Sequence, residues 1–208
     1  MKNKKLIAMG TSVALVAVVG VGATLAYFTD QDTETNVVTM GNVDIDLDEP
    51  NFEGNATDNT VFDIVPNQTI VKDPTITLQD GSENAYIRAN VTYSWDGGAA
   101  ITPEEVSALK AGINWQDGWV EGPDADGDYT TDTYYFQNIL TDEDGADTAS
   151  LFTQVTIPAS WGNSVANRRL QITVEAEAVQ ADNFTPETNE AGQIVGWGNV
   201  TPENYPVQ

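Results

Sequence analysis

An all-β sandwich is the fold class this sequence predicts, and three observations predict it. The dominant periodicity after residue 36 is two, Asp/Gly turn signals break the chain at short intervals, and only one stretch carries the marks of a helix. The clearest alternation is LQITVEAEA. Leu170, Ile172, Val174, Ala176 and Ala178 point one way, while Gln171, Thr173, Glu175 and Glu177 point the other, giving a strand with one dry and one wet face. Val43, Ile45 and Leu47 alternate with Asp44 and Asp46, and Ile87, Ala89, Val91 and Tyr93 alternate with Arg88, Asn90 and Thr92. Shorter strands are predicted at Ile70–Val71, Thr75–Leu78, Thr133–Phe136 and Thr153–Ile157.

Between these runs stand Asp80-Gly81, Asp96-Gly97-Gly98, Asp126-Gly127, Asp144-Gly145 and Trp161-Gly162-Asn163, all turn chemistry. The single helix is predicted at about 103–111. Thr102 is its cap, Pro103 fits the first turn, Glu105 completes a capping box and Gly112 closes the end, leaving Val106 and Leu109 on an inward face. Such a helix reads as an insertion packed over a sheet edge. The tail from Thr185 is less regular, with Ile194, Val195 and Trp197 as a late strand.

The first residues have a different character. Lys2, Lys4 and Lys5 precede an uncharged run from Leu6 to Ala26, the layout of an export signal, helical in its apolar part. Thr24 and Ala26 are the small residues that a signal peptidase requires, so cleavage is expected between Ala26 and Tyr27. The competing reading is a retained membrane anchor, for which the run is just long enough. Glycines dilute its hydrophobicity and no basic stop-transfer cluster follows, which favours cleavage. The predicted layout is a signal peptide at 1–26, a mature N-terminal segment at 27–36 and one sandwich domain at 37–208.

The formal net charge is −24, and cleavage removes three lysines and no acid, leaving five cations against 32 acids, net −27. Such a surface repels nucleic acid and anionic lipid, so neither is an expected partner, and contact with membrane is expected only through the signal before its removal. There is no Cys and no His. That excludes a disulfide framework, a thiol nucleophile, the HExxH zinc site and the Ser/His/Asp triad. No catalytic residue is assigned. Pairs of carboxylates for glycoside hydrolysis are too numerous for one to stand out.

One loop has the spacing of a cation site. In PDADGDYTTD, Asp124, Asp126, Asp128 and Asp132 stand around Gly127, and Asp124, Asp126 and Asp128 offer oxygens at alternate positions, as calcium requires; calcium is the one cofactor this sequence suggests. Gly127 stands at the fourth position of that loop where an EF-hand has its glycine at the sixth, and no glutamate closes it, so a solvated acidic turn is the competing reading. Five tryptophans, Trp95, Trp115, Trp119, Trp161 and Trp197, read as core or as covers for the ends of the sandwich, with sugar stacking as the alternative.

Five stretches in order resemble the TasA/camelysin family of secreted bacterial proteins, exported through a specialised signal peptidase. They are ATLAYFTDQDTETN at 23–36, NVVTMGNVDIDL at 36–47, PNQTIVKDPTITLQDGSENAYIRANVTY at 66–93, SLFTQVTIP at 150–158 and ITVEAEAVQADNF at 172–184. The resemblance implies a jelly-roll-like sandwich, secreted to the cell surface or matrix, whose copies polymerise into biofilm-matrix fibres. It implies that the segment starting at Tyr27, Phe28, Thr29 and Asp30 enters the sheet of the next copy as a donor strand, with Phe28 as anchor. The partners are then the chain itself and sibling matrix proteins. An accessory role on fibres built by a sibling and recognition of matrix polysaccharide are further alternatives. The metalloprotease activity attached to camelysin transfers poorly to a chain without histidine.

Overall fold

The computed structural model of the chain describes residues 42–52, 61, 65–96, 100–124, 127–143, 145–162, 165 and 168–200. The predicted signal and the segment 27–36 lie outside them. In chain order the elements are β1 (Ile45–Asp48), β2 (Thr69–Val71), β3 (Thr75–Leu78), β4 (Ala85–Trp95), α1 (Pro103–Lys110), β5 (Ile113–Trp115), β6 (Trp119–Glu121), β7 (Thr131–Phe136), β8 (Thr148–Ser150), β9 (Phe152–Thr156), β10 (Leu170–Gln180), β11 (Glu187–Thr188) and β12 (Ile194–Gly196).

The two longest alternating runs become the two longest strands. β4 and β10 pair antiparallel over their full length, Leu170 opposite Trp95 and Gln180 opposite Ala85, and with β7 and β6 they form the sheet β10–β4–β7–β6. The other side is built from two short ladders, β1–β3–β8 and β2–β9–β5. These continue one another. The register that pairs Val71 with Gln154 runs on without a slip to pair Thr75 with Ser150, bridged by Lys72 N–H to Thr153 O and Leu151 N–H to Pro74 O. β2–β3 and β8–β9 are thus two bent strands, and the second layer reads β1, β2–β3, β8–β9, β5. Two four-stranded antiparallel layers sharing one core make the predicted sandwich.

The bend has a local cause. Pro74 removes an N–H from the ladder, and Asp73 beside it turns inward, where its buried carboxylate accepts from the N–H and the side-chain amide of Asn51 at 3.0 and 2.7 Å. Across the bend the alternation of the partner strand breaks too, so that Leu151 and Phe152 are both fully buried.

The core lies between the layers. Ala85, Ile87, Ala89, Val91 and Tyr93 of β4 are all at 0% exposure against Ile76, Leu78, Ala149 and Val155 of the facing layer. Burying an aliphatic side chain such as Ile87 or Val91 contributes about 1.5–3 kcal/mol. A second, smaller cluster sits on the outer face of the same sheet. Tyr135, Ile194 and Trp197 gather with Tyr86, Val179 and Phe184 where the β11–β12 hairpin crosses that face. Gln137 clasps it, its amide accepting from Ile194 N–H at 2.8 Å and donating to Ile194 O at 3.0 Å.

α1 carries the predicted capping box, with Thr102 Oγ1 accepting from Glu105 N–H and Glu105 accepting from Thr102 N–H. It ends at Lys110, one residue short of the expectation. Gly112 does not end it through a left-handed turn; a Cβ there would stand 2.2 Å from Thr156 O, so glycine is needed for the close approach of β9. β7 starts at Thr131, two residues earlier than predicted, and β5, β6, β8 and β11 were not predicted.

Candidate functional site

The predicted cleavage residues Ala26 and Tyr27, and the donor residues Tyr27, Phe28, Thr29 and Asp30, lie outside the described residues, as does Asp126. The other two members of the acidic loop serve the backbone. Asp124 Oδ1 accepts from Gly127 N–H at 2.8 Å, and Asp128 Oδ1 accepts from Thr130 N–H at 3.0 Å and from its hydroxyl at 2.6 Å. The bonds from Thr130 hold the Asp128 carboxyl below its ordinary range. Among the described residues no group of three or more acids gathers as a metal would need.

The receiving side of a strand exchange can be located from burial and backbone direction. β10 pairs with β4 alone, and β1 with β3 alone, among the described residues. In the β4–β10 ladder, Asp96 N–H donates to Arg169 O and Ala181 N–H to Asn84 O. The odd-numbered residues of β10 therefore face their N–H and C=O toward β4. Ile172, Val174, Ala176 and Ala178 direct theirs away from it. These same residues form the inward apolar row, and it is only half-buried along its length, as are Ile45 and Leu47 on β1 and Val43 just before it. An edge whose dry row is half-covered and whose backbone groups point outward is what an added strand completes.

The wet face of β10 is engaged by its neighbour. Glu177 is ion-paired with Arg88 Nε at 2.5 Å and accepts from Asn90, while the Arg88 guanidinium lies 4.5 Å from the ring centre of Trp197. All five tryptophans are buried or half-buried. Trp95 packs on Trp161, Trp115 stacks on Tyr134 at 4.3 Å, and Trp119 meets Phe136. They do not form the exposed platform that the polysaccharide alternative requires.

A polar cluster that sequence reading missed lies where α1 meets the sheet. Lys110 Nζ stands 2.9 Å from Asp132 Oδ2 and 3.0 Å from Glu121 Oε1. Asp132 Oδ2 is buried and held by this ion pair, with no hydrogen bond among the described residues, and the fully buried Tyr93 hydroxyl beside it has none there either. Tyr134 reaches Glu121 Oε2 at 3.5 Å. Burial lifts the Asp132 carboxyl above its ordinary range against the pull of Lys110. Burial also opposes the charge on Lys110, but its two carboxylate partners outweigh that and raise its amine. Burial drives the Tyr93 and Tyr134 hydroxyls upward as well. The signal was present in TTDTYYF, since strict alternation puts Asp132 on the same inward face as Tyr134.

At the same end, Glu105 accepts from the Trp95 indole at 3.2 Å and pairs with Arg168, which lies 4.1 Å over the Trp95 ring. Burial alone would raise the Glu105 carboxyl, but the Thr102 N–H, the indole and Arg168 together bring it below its usual range.

Residues 2–92 match a family model described as camelysin metallo-endopeptidase, from the predicted signal to Thr92 near the end of β4. No curated protein matches the chain.

Proposed function

We propose, from the match of residues 2–92 to the camelysin family model, that this chain is a secreted structural subunit of an extracellular fibre, polymerising head-to-tail through donor-strand exchange. The observation that carries this reading is the β10 edge, where Ile172, Val174, Ala176 and Ala178 turn outward backbone groups that no strand among the described residues pairs, above a half-covered apolar row. The occupant is the 27–36 segment of another copy. Backbone hydrogen bonds supply the affinity, and the apolar row supplies the register. Insertion of one copy's leading end into another's edge is heterologous, so it propagates instead of closing.

The test compares two purified chains, one starting at Tyr27 and one at Val37, under identical conditions in the electron microscope. Filaments from the first and monomers from the second support the exchange. Equal polymerisation of both places the joint elsewhere.

The family description itself favours a second reading, a metallopeptidase. Against it stands a sequence with neither His nor Cys, which leaves carboxylates as the only strong metal ligands. Peptide hydrolysis by the purified chain, abolished by chelator, would establish that reading.

A further inference from the structure

We propose that Lys110 and Asp132 become joined by a side-chain amide, an intramolecular cross-link that the folded chain forms in itself with Glu121 as proton carrier. The three groups have the composition and spacing this reaction needs: an amine, a carboxyl as acceptor 2.9 Å away, and a second carboxyl 3.0 Å from the same nitrogen. Asp132 and Lys110 come from different elements, β7 and the end of α1, so the fold alone creates the encounter. Holding the two groups in contact supplies the effective concentration that free amines and carboxylates in water lack.

The chemistry closes without any co-reactant. Burial opposes both charges and raises the Asp132 carboxyl, and a proton passing from the ammonium to the Asp132 carboxylate, against the hold of the two carboxylates on the ammonium, leaves a neutral amine facing a neutral acid. Nζ adds to Cγ of Asp132. Glu121 takes the proton released by nitrogen and delivers it to the departing oxygen. The N–C bond forms, the C–O bond breaks, and one water leaves; ammonium plus carboxylate has become amide plus water with no change of oxidation state. The Tyr93 hydroxyl, fully buried beside Asp132 and with no hydrogen bond among the described residues, is the donor available to the oxyanion of the intermediate. Glu121 is at the rim, with 48% of its side chain exposed, so the released water has a way out.

The product closes a covalent loop from 110 to 132 around β5 and β6. In a chain with no cysteine this does the work of a disulfide, restricting the unfolded state and tying α1 to the sheet.

The intact mass of the purified full chain tests the proposal. A mass lower by one water is expected, and Lys110→Arg, Asp132→Ala and Glu121→Gln should each restore the full mass. Asp132→Asn should lose ammonia in place of water and reach the same product. Trypsin digestion after denaturation supplies the position. With its amine in an amide, Lys110 is not cut, so 89–168 emerges as one fragment instead of 89–110 and 111–168. A full-length mass with cleavage after Lys110 overturns the proposal, and so does a lost water with Lys110 still cut, which would mark an Asp-Gly imide. Circular dichroism of each variant shows whether it folds. A folded Glu121→Gln chain that still loses water removes Glu121 from its role.

Discussion

β4 and β10 are paired residue for residue, share one alternation and both run eleven residues, yet they live differently. Every inward residue of β4 from Ala85 to Tyr93 is at 0% exposure, whereas every inward residue of β10 is only half-buried. The difference is one of neighbours. β4 has β10 on one side and β7 on the other, and the facing layer above it; β10 has β4 and, among the described residues, no second hydrogen-bonded strand, with β1 of the other layer nearby. Alternation therefore reports that a strand has a dry face, and not whether the sheet continues beyond it. A strand that is apolar enough to be central but stands at an edge is the place to look for an exchange partner.

The comparison is broken most severely by proline. Glu175→Pro removes an N–H that points into the β4 ladder and should cost about 3 kcal/mol, enough to unfold the chain or bring its midpoint in urea down sharply. Ala176→Pro, one residue on, removes an outward N–H. It should leave a folded monomer, by circular dichroism, that cannot accept a donor strand and makes no filaments. If the two prolines are equally disruptive, the edge assigned to β10 is wrong.

Alanine substitution gives the next largest contrast. Ile87→Ala empties a site with no exposure and should destabilise by about 2–5 kcal/mol, while Val174→Ala on the half-covered row should cost about 1 kcal/mol. Equal losses in chemical denaturation would mean that β10 is as enclosed as β4. In assembled fibres the cost of Val174→Ala should rise, because a donor strand would then cover it.

The smallest effect comes from the end where both strands meet α1. Glu105→Ala removes half of the capping box and the partner of Trp95 and Arg168, a loss of about 1 kcal/mol. The Glu105 carboxyl is held below its unfolded value, so its contribution is present above that value and is lost as pH falls through the folded one. The wild-type chain should lose stability in that acid range, and Glu105→Gln should flatten this part of the profile. An unchanged acid limb would show that Arg168 and Trp95 draw nothing from the charge.

Much of the architecture was legible because it is written locally. The two long strands, the short strands on either side of Pro74, the capping box of α1 and the late strand at Ile194 all follow from alternation, turn residues or cap chemistry within a dozen positions. β5, β6, β8 and β11 were not, since none exceeds three residues, too few to show alternation, and β5 and β8 exist through partners far along the chain, as Ile113 does opposite Val155 across a bulge. The second cluster on the outer face was hidden for the same reason. Tyr86 and Tyr135 occupy the nominally wet positions of their strands, and only the returning hairpin with Trp197 makes those positions dry.

The sequence by itself determined the fold class of this protein: period-two patterning selects sheets, Asp/Gly pairs end the strands, and the want of cysteine and histidine rules out thiol and imidazole chemistry. Only tertiary structure decided which strand stands at an edge, which acid lies against which lysine, and which aromatic rings are covered. Patterning is a property of a few consecutive residues, whereas an edge, an ion pair or a buried face is a relation between segments that the chain brings together only on folding.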